Sequence, residues 1–350
     1  MSTRGRQTEV ANQARAALRR DPAVRLIVHA WRRLTGGGRG RDAERRTLVA
    51  CSGGADSAAL VLALASSAQS AASLVVGHVV HDLRPREQVL QERDRVRGLA
   101  GSLGLAFVEA GVRVRGVGGN AEGVARQRRY AALAKMAEES GCGWVATAHQ
   151  GDDLVETVLM RLVRGAGVRG LVGIHEARGM EGREGVQLIR PMLGVTRVDA
   201  ERVCARAGWA PSEDPTNRDT SRLRAHIRHG VLPTLRTVAP GVHERVLETS
   251  RLMAGVCGVL AGVTEVVGAA SAKGDWTMAR RRARELPEVV LAEVLRDQVR
   301  RAGGAMDRLP ARLLNEVCRV VRSEGTDPKV VRLPGVVVRV TARDVTVGRR

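Results

Sequence analysis

The chain has 350 residues, of which 44% are hydrophobic, and it is long enough to bury the core of one large domain and a smaller one. Its 57 Lys and Arg residues outnumber 37 Asp and Glu residues, which leaves a net charge of +20 and favours a polyanionic partner such as RNA. No apolar run approaches the roughly 18 residues that span a bilayer, so we expect a soluble protein, and 2% aromatic residues argue against a broad base-stacking platform.

An amphipathic helix is predicted after Asp21, where Pro22 can occupy the first helical position. The spacing of Leu26, Ile27 and Trp31 puts these residues on one apolar face. We interpret residues 1–44 as this helix followed by a Gly/Arg linker.

Short apolar runs then alternate with helical stretches. The runs cover residues 47–51, 74–80, 105–109 and 144–148, and helices are predicted from Asp56, Gln88 and Ala121. This alternation predicts an α/β domain over residues 45–235 with a doubly wound, mostly parallel sheet. Ligands bind beyond the carboxyl ends of such strands. Three polar residues follow these ends and should converge there: Ser52, His81 and His149.

A glycine turn directly follows the first run, in the segment Ser52-Gly-Gly-Ala-Asp-Ser57. Gly53 and Gly54 can adopt backbone angles closed to other residues, so several N–H groups can converge on an anion at a helix start. The segment lacks the Gly-Lys-Ser/Thr of a Walker loop and the Gly-x-Gly-x-x-Gly of a dinucleotide fold. The turn therefore predicts a polyphosphate site of another kind.

A second polar cluster follows the run at 144–148. His149, Asp152, Asp153 and Glu156 stand at the end of a strand and on the first turn of the next helix. Carboxylates at a helix start are often only caps. Convergence with the glycine turn favours Mg²⁺ ligands facing a triphosphate, with the histidine as a proton carrier.

Helical periodicity dominates after the prolines at 233 and 240. We predict a smaller, mainly helical domain over residues 236–350, which would help to grip RNA, with a short β hairpin or meander over 330–347. Five dispersed cysteines form no C-x-x-C pair, which favours buried free thiols in a reducing cytoplasm over a zinc or iron–sulfur site. They are Cys51, Cys142, Cys204, Cys257 and Cys318.

The glycine turn resembles the Ser-Gly-Gly-x-Asp-Ser signature of the PP-loop ATP pyrophosphatases, whose fold is adenine nucleotide alpha hydrolase-like. The run from Thr147 to Thr157 and its continuation to Leu171 narrow the resemblance to the tRNA(Ile)-lysidine synthetase family. Further segments agree in order, namely His81 to Arg84, Glu122 to Tyr130, Ile189 to Leu193, and Glu213 to Asn217 leading to Arg224 and Arg228. The chain departs from the family pattern at Gln150, Leu154 and Ala225.

The resemblance implies a ligase that uses ATP and Mg²⁺. It would adenylate the 2-carbonyl of the wobble cytidine in isoleucine tRNA with a CAU anticodon and then ligate free L-lysine to form lysidine. AMP and pyrophosphate would be released, and codon reading would switch from AUG to AUA. The expected setting is the cytoplasm, with no membrane partner and with a homodimer as a possible assembly.

The same resemblance implies roles for particular residues. Asp56, His149 and Asp153 are the expected catalytic residues, and Asp56 and Asp153 the expected Mg²⁺ ligands. A lone surface arginine is as often part of a solvated face as a ligand contact. The expected ATP-binding residues are Ser52, Gly53, Gly54, Ala55, Asp56, Ser57 and His81, and those expected to bind tRNA or other substrate are Arg84, Arg126, Arg129, Asp152, Glu156, Arg164, Arg224 and Arg228.

Three other functions remain open. A tRNA 2-thiolation enzyme of the same superfamily would also adenylate a nucleobase, but it normally needs paired cysteines or an iron–sulfur cluster. An amidotransferase-type synthetase would share the glycine turn without needing so basic a chain. A catalytically inactive RNA-binding module would keep the charge without the set of Asp56, His149 and Asp153.

Overall fold

A computed structural model of the chain describes residues 15–36, 41–82, 85–113, 121–180, 182–211, 223–268, 275–305, 309 and 311–349. The chain divides into two compact units. The first unit comprises Met1–Met160 and Gly173–Glu248, and the second comprises Arg161–Val172 and Thr249–Arg350. The domain limits at 44/45 and 235/236 stay a prediction.

Strands and helices alternate along the first unit, as the sequence predicts. The strands are β1 (Thr47–Ala50), β2 (Leu74–His81), β3 (Ala106–Val112), β4 (Trp144–Ala146), β5 (Ala177–Met180) and β6 (Arg183–Ile189). The helices are α1 (Pro22–Leu34), α2 (Ala55–Ser67), α3 (Arg86–Ser102), α4 (Ala121–Glu139), α5 (Gly151–Val163), α6 (Val168–Leu171, in the second unit), α7 (Arg197–Arg206), α8 (Leu223–His226) and α9 (Leu232–Val238). A π-helical turn, Ile227–Val231, joins α8 to α9.

The described strands of this unit form one sheet in the order β3-β2-β1-β4-β6-β5. All neighbouring pairs are parallel except β5 and β6, which are antiparallel. The predicted α/β class and mostly parallel sheet are therefore confirmed. The β5–β6 hairpin was not predicted, because β5 is short and its sequence, Ala-Arg-Gly-Met, contains no apolar run.

The position of the cleft follows from the strand order. The chain builds outward from β1 to β2 and β3, then returns to place β4 on the other side of β1. The connections leaving β1 and β4 therefore diverge, and a crevice opens at the carboxyl ends of these two strands.

Helix α1 packs in the core of the first unit. Asp21 caps it by accepting a hydrogen bond from the Ala23 amide at 2.8 Å, and Pro22 takes the first helical position as predicted. Trp31 is fully buried and donates from Nε1 to Thr47 Oγ1 at the start of β1, at 3.0 Å. The prediction that Leu26 joins the apolar face is wrong, because its side chain is 54% exposed.

The second unit combines helices with a small sheet. Helix α10 (Val242–Gly268) enters it from the first unit and is followed by α11 (Arg280–Glu285), α12 (Glu288–Arg301) and α13 (Ala311–Arg322). Its strands are β7 (Trp276–Ala279), β8 (Lys329–Leu333), β9 (Val336–Val340) and β10 (Asp344–Arg349), in the antiparallel order β7-β10-β9-β8. The predicted helices and β tail are confirmed, whereas β7 was not predicted.

Helix α10 contradicts the prediction that no apolar run is long enough to span a bilayer. Residues Val242–Val267 are long and apolar enough to cross a bilayer by length and composition, and only 17% of the apolar window is buried. Small and polar residues interrupt the apolar residues of this helix, so its sequence contains no long unbroken apolar run. Helices of soluble proteins meet the same test, so we assign no membrane span.

Candidate active site

A cleft of about 1110 Å³ opens at the carboxyl edge of the large sheet, lined by residues of the first unit. It collects side chains from segments that are far apart in the sequence. The predicted site residues that line it are Ser52, Gly54, Ala55, Asp56, Ser57, His81, Arg129, His149, Asp152, Asp153, Glu156, Arg224 and Arg228.

The glycine turn at the end of β1 is held closed by two serines. Ser57 Oγ accepts a hydrogen bond from the Ser52 amide and donates one to the Gly54 carbonyl, both at 3.1 Å. The two hydroxyl groups are also 3.1 Å apart. Gly53 has a φ of +88°, in the left-handed region that favours glycine. The turn therefore has a fixed shape that depends on glycine.

The first turn of α2 faces this loop without a side-chain cap. Its N-cap residue, Gly54, has no side chain with which to accept from the amides of the first turn. Those N–H groups and the positive end of the helix dipole are therefore available to an anion. The geometry of Ser52, Gly54 and Ser57 thus suits the phosphate cradle that the sequence predicts, and phosphate binding stays a prediction.

Asp56 projects from the start of α2 into an environment that disfavours its charge. Burial, and then the nearby Asp153 carboxylate, raise the pKa of Asp56 to about 7. Its Oδ1 atom is buried and has no hydrogen-bond partner. A cation placed there would relieve both the repulsion and the unsatisfied oxygen, so Asp56 with Asp153 fits a hard cation such as Mg²⁺.

His149 lies beyond β4, between the acidic residues and several arginines. Burial, followed by the positive charges of Arg190, Arg126 and Arg129, lowers its pKa to about 3. The ring is therefore neutral at physiological pH, and its Nδ1 shares a hydrogen bond with Thr147 Oγ1 at 3.1 Å. A ring in this state can form a neutral hydrogen bond to a ligand, but it is a weak proton acceptor.

Asp153 and Glu156 lie one helical turn apart on α5 and are paired with two arginines. Arg224 contacts Asp153 Oδ1 at 2.8 Å and Glu156 Oε2 at 2.7 Å. Arg228 contacts Glu156 Oε1 at 2.6 Å and lies 3.5 Å from Asp153 Oδ1. Burial raises the pKa of Asp153, while Glu156 is fully buried. These two acids therefore form a site that already binds cationic groups.

Asp152 makes different contacts, although it is next to Asp153 in the sequence. Its Oδ1 accepts hydrogen bonds from His243 Nε2 and from an Arg236 nitrogen at 2.5 Å, and its Oδ2 accepts one from the Arg197 amide at 3.2 Å. Burial opposes ionisation, but the hydrogen bonds from His243 and Arg236 lower the pKa of Asp152 to about 2. Both oxygens are used within the protein, which favours a structural role over the predicted substrate contact.

The other predicted residues are placed less centrally. His81 ends β2 at the cleft, and its buried Nδ1 has no partner. Arg126 does not line the cleft but donates to Tyr130 Oη at 3.2 Å. Arg164 belongs to the second unit, and Arg84 lies outside the described residues.

Several residues of the site were not predicted from the sequence. His78 lines the cleft, and because a carbonyl only accepts, its Nδ1 must donate to the Cys51 oxygen, 2.8 Å away. Its position three residues before His81 on a predicted strand carried no distinctive signal. Arg178 and Arg190 approach Tyr130 from β5 and from the end of β6.

Few groups in the described part of the chain could hold a metal. No set of three or more His, Cys, Asp or Glu side chains there is arranged around one point, so the carboxylate pair of Asp56 and Asp153 would need oxygens from a bound ligand to complete a coordination sphere. The cysteines are free thiols, as predicted: Cys51, Cys142, Cys204 and Cys318 are buried, and Cys257 is partly buried.

Comparison with known proteins gives consistent results. A family model described as a PP-loop domain matches residues 29–235. The tRNA(Ile)-lysidine synthase of Streptomyces coelicolor is 37% identical over 305 residues, which cover 83% of this chain and 81% of that protein. The enzyme of the same name from Salinispora tropica is 41% identical over 213 residues, covering 59% of this chain and 62% of its own. The one from Dehalococcoides mccartyi is 38% identical over 212 residues, covering 58% of this chain and 44% of its own.

Among solved structures, the U34-tRNA thiolase NcsA from Methanococcus maripaludis has the same fold, with a TM-score of 0.52. It is 15% identical in sequence, and the match covers 67% of this chain and 80% of that one. At this identity the likeness concerns the fold alone.

Proposed function

The chain belongs to the tRNA(Ile)-lysidine synthase family of PP-loop proteins, and from this premise we propose that it is an ATP-dependent ligase that modifies isoleucine tRNA. It adenylates the 2-carbonyl oxygen of the wobble cytidine of a CAU anticodon and then joins L-lysine to that carbon. Pyrophosphate and AMP are released, and the modified base pairs with adenine instead of guanine.

One observation carries this proposal. The uncapped turn at Ser52–Ser57 and the acid pair of Asp153 and Glu156 open into the same cleft, which is lined by arginines. An anion cradle and a cation site in one cavity suit a reaction that brings together a polyphosphate, a nucleic acid and a cationic amino acid. A simple nucleotide hydrolase would not need the second site.

In the first step, the amides of the turn and of the first helical turn hold the ATP phosphates and aim the α phosphorus at the cytidine oxygen. An O–P bond forms at the base, and the bond between the α and β phosphates breaks, so pyrophosphate leaves. Mg²⁺ held by Asp56 and Asp153 would neutralise phosphate charge. The neutral His149 ring can accept or donate one hydrogen bond to the base without adding charge.

In the second step, Asp153 binds the side-chain ammonium of lysine, while Glu156 holds Arg224 and Arg228 beside it. A free amine with a pKa of about 10.4 must lose a proton before it attacks. Asp153 is the better acceptor, because burial raises its pKa whereas that of His149 is about 3. The new C–N bond forms at C2, the C2–O bond breaks, and AMP leaves with the oxygen.

The high positive charge suits an enzyme that binds RNA, and the dispersed free cysteines suit a reducing compartment. We therefore propose that the protein acts in the cytoplasm. The apolar helix α10 does not oppose it, since its first turn carries His243 bonded inside the first unit, while Leu260 and Thr264 are buried. A homodimer stays a prediction.

AMP release from ATP, measured with total tRNA in the presence and absence of lysine, tests the proposal. We expect release to need both tRNA and lysine. Release that needs a sulfur donor would identify a thiolation enzyme, and release without tRNA would identify an amidotransferase-type synthetase. No release would leave an RNA-binding module, and each of these three results would refute the proposal.

A matched pair of variants tests the role of Asp153. Asp153→Asn should lower the yield of lysidine, because it removes a Mg²⁺ ligand of the first step and the proton acceptor of the second. Asp94→Asn is the control, since Asp94 is exposed on α3 and pairs with the neighbouring Arg93. Equal lysidine yields from the two variants would contradict the role given to Asp153.

A further inference from the structure

Tyr130 is surrounded by guanidinium groups. The Cζ atoms of Arg126, Arg178 and Arg129 lie 5.2, 5.4 and 5.7 Å from the centre of its ring. These distances are typical of cation–π contacts, which hold arginine side chains flat against an aromatic face. Tyr130 is the only tyrosine of the chain, and its ring is 9% exposed.

A fourth arginine, Arg190, contacts Tyr130. Arg190 is 4% exposed and hydrogen-bonded to Tyr130 and to the His175 carbonyl, the latter at 2.6 Å. Its Nε is buried without a partner. A buried cation with an unsatisfied donor is costly unless a ligand or an anion supplies the missing interaction.

Several arginines elsewhere in the unit are neutralised by a carboxylate. Arg32 pairs with Asp42, Arg202 with Asp21, and Arg228 with Glu156. Among the residues that the structure describes, no carboxylate lies within ion-pairing distance of any of the four around Tyr130. Three of them, Arg190, Arg126 and Arg129, contribute to the low pKa of His149. The cluster is therefore an uncompensated positive site.

The position of the arginine cluster indicates what kind of anion it can bind. Tyr130 and Arg129 line the cleft, whereas Arg126 on α4 and Arg178 on the edge strand β5 are outside its lining. Arg126, Arg129 and Arg178 are all exposed, so they are accessible to a macromolecule. Three exposed guanidinium groups around one ring exceed what one carboxylate can use, but they suit the phosphates of a nucleic acid backbone.

We propose that Arg126, Arg129 and Arg178, ordered around Tyr130, form a clamp for the phosphodiester groups of the RNA next to the target nucleotide. This inference rests on the proposed function and extends it, since it names the surface that guides the RNA strand into the cleft. The clamp positions the strand through its backbone and carries no base specificity of its own.

The test compares the Arg126→Ala/Arg178→Ala double variant with wild type. Equilibrium binding of tRNA is measured over a range of salt concentrations, and KM values are measured for tRNA, ATP and lysine. We expect tRNA affinity to fall at least about tenfold, and the slope of log affinity against log salt to become shallower by roughly 1.4 to 1.8, for two lost phosphate contacts. The KM for ATP should stay within about twofold of wild type.

Arg183→Ala is the matched control, because Arg183 is on the same hairpin but pairs with Glu138. A double variant that binds tRNA like this control would overturn the clamp. A raised KM for lysine with normal tRNA binding would also overturn it, since the cluster would then hold the amino acid carboxylate. If wild type shows the salt slope and the double variant loses it, but neither releases AMP, the clamp stands and the proposed function fails.

Discussion

Asp152 and His243, 91 positions apart in the chain, share a buried hydrogen bond between carboxylate Oδ1 and ring Nε2. This hydrogen bond joins the first turn of α5 to the first turn of α10. Helix α5 is also the helix that carries Asp153 and Glu156. Gly151 allows the close approach, because a Cβ there would meet the Val195 oxygen at 3.0 Å and His243 Cδ2 at 3.2 Å. The helix that presents the two site carboxylates is therefore fixed by residues from the far end of the unit.

Removing this junction should destabilise the fold. Asp152→Ala leaves the donors of Arg236 and His243 unpaired, and we expect it to lower the free energy of unfolding by about 1–3 kcal/mol. Urea unfolding at pH 7 measures the change, with Asp94→Ala as an exposed control expected to stay within about 0.5 kcal/mol. Equal unfolding midpoints for the two variants would show that the junction contributes nothing.

The same junction should respond to acid. The pKa of Asp152 is lowered to about 2, so its contribution to stability is full above its unfolded value of 3.8 and is lost as pH falls through 2. The difference in stability between wild type and Asp152→Asn should therefore shrink between about pH 4 and pH 2. A difference that stays constant across this range would mean that Asp152 titrates normally.

Asp56 should behave in the opposite way. Its pKa is raised to about 7, so ionising Asp56 lowers the free energy of unfolding. This loss of stability grows from pH 3.8 to pH 7 and is complete above pH 7. We expect Asp56→Asn to unfold at a higher temperature than wild type at pH 8, by an amount that disappears near pH 4. The same variant should lose ATP–pyrophosphate exchange. A lower melting temperature at pH 8 would contradict this account of its environment.

His149 should not contribute a titration to the activity near neutral pH. Because its pKa is about 3, the ring stays neutral from pH 6 to 8. His149→Gln should lower the rate of adenylylation about five- to tenfold, the value of one neutral hydrogen bond, without changing the shape of the pH profile. If the wild-type profile contains a step near pH 6.5 that the variant lacks, the ring has its ordinary pKa.

Arg280 should be essential to the second unit. Its buried guanidinium donates to the carbonyls of Val320, Val321, Ser323, Gly325 and Thr341, which include the end of α13. Arg280→Met would remove all of these hydrogen bonds, although Arg284 still donates to the Val321 and Ser323 oxygens, and we expect a cost of about 3 kcal/mol or more. Thermal unfolding checks this against Arg281→Ala, since Arg281 is exposed. Equal melting temperatures would assign Arg280 no structural role.

Local patterns in the sequence were sufficient for the framework of the protein. The apolar runs at β1, β2 and β4, the glycines at 53 and 54, and the cap at Asp21 each depend on interactions within a few residues, so their letters predict the structure they form. Strand order in a parallel sheet then places the ends of β1 and β4 together. The β5–β6 hairpin and strand β7 were not predicted. These segments are strands because they pair with β6 and β10, and their own composition does not indicate a strand.

The sequence by itself thus determined that a phosphate cradle and a set of acids meet at one edge of a sheet. Only the tertiary structure decided what each acid can do. Asp152 and Asp153 are neighbours of the same type, yet the hydrogen bonds of Arg236 and His243, 84 and 91 residues away, lower the pKa of Asp152, while burial raises the pKa of Asp153. The state of a carboxylate depends on its burial and on nearby charges, and in this chain distant segments supply both.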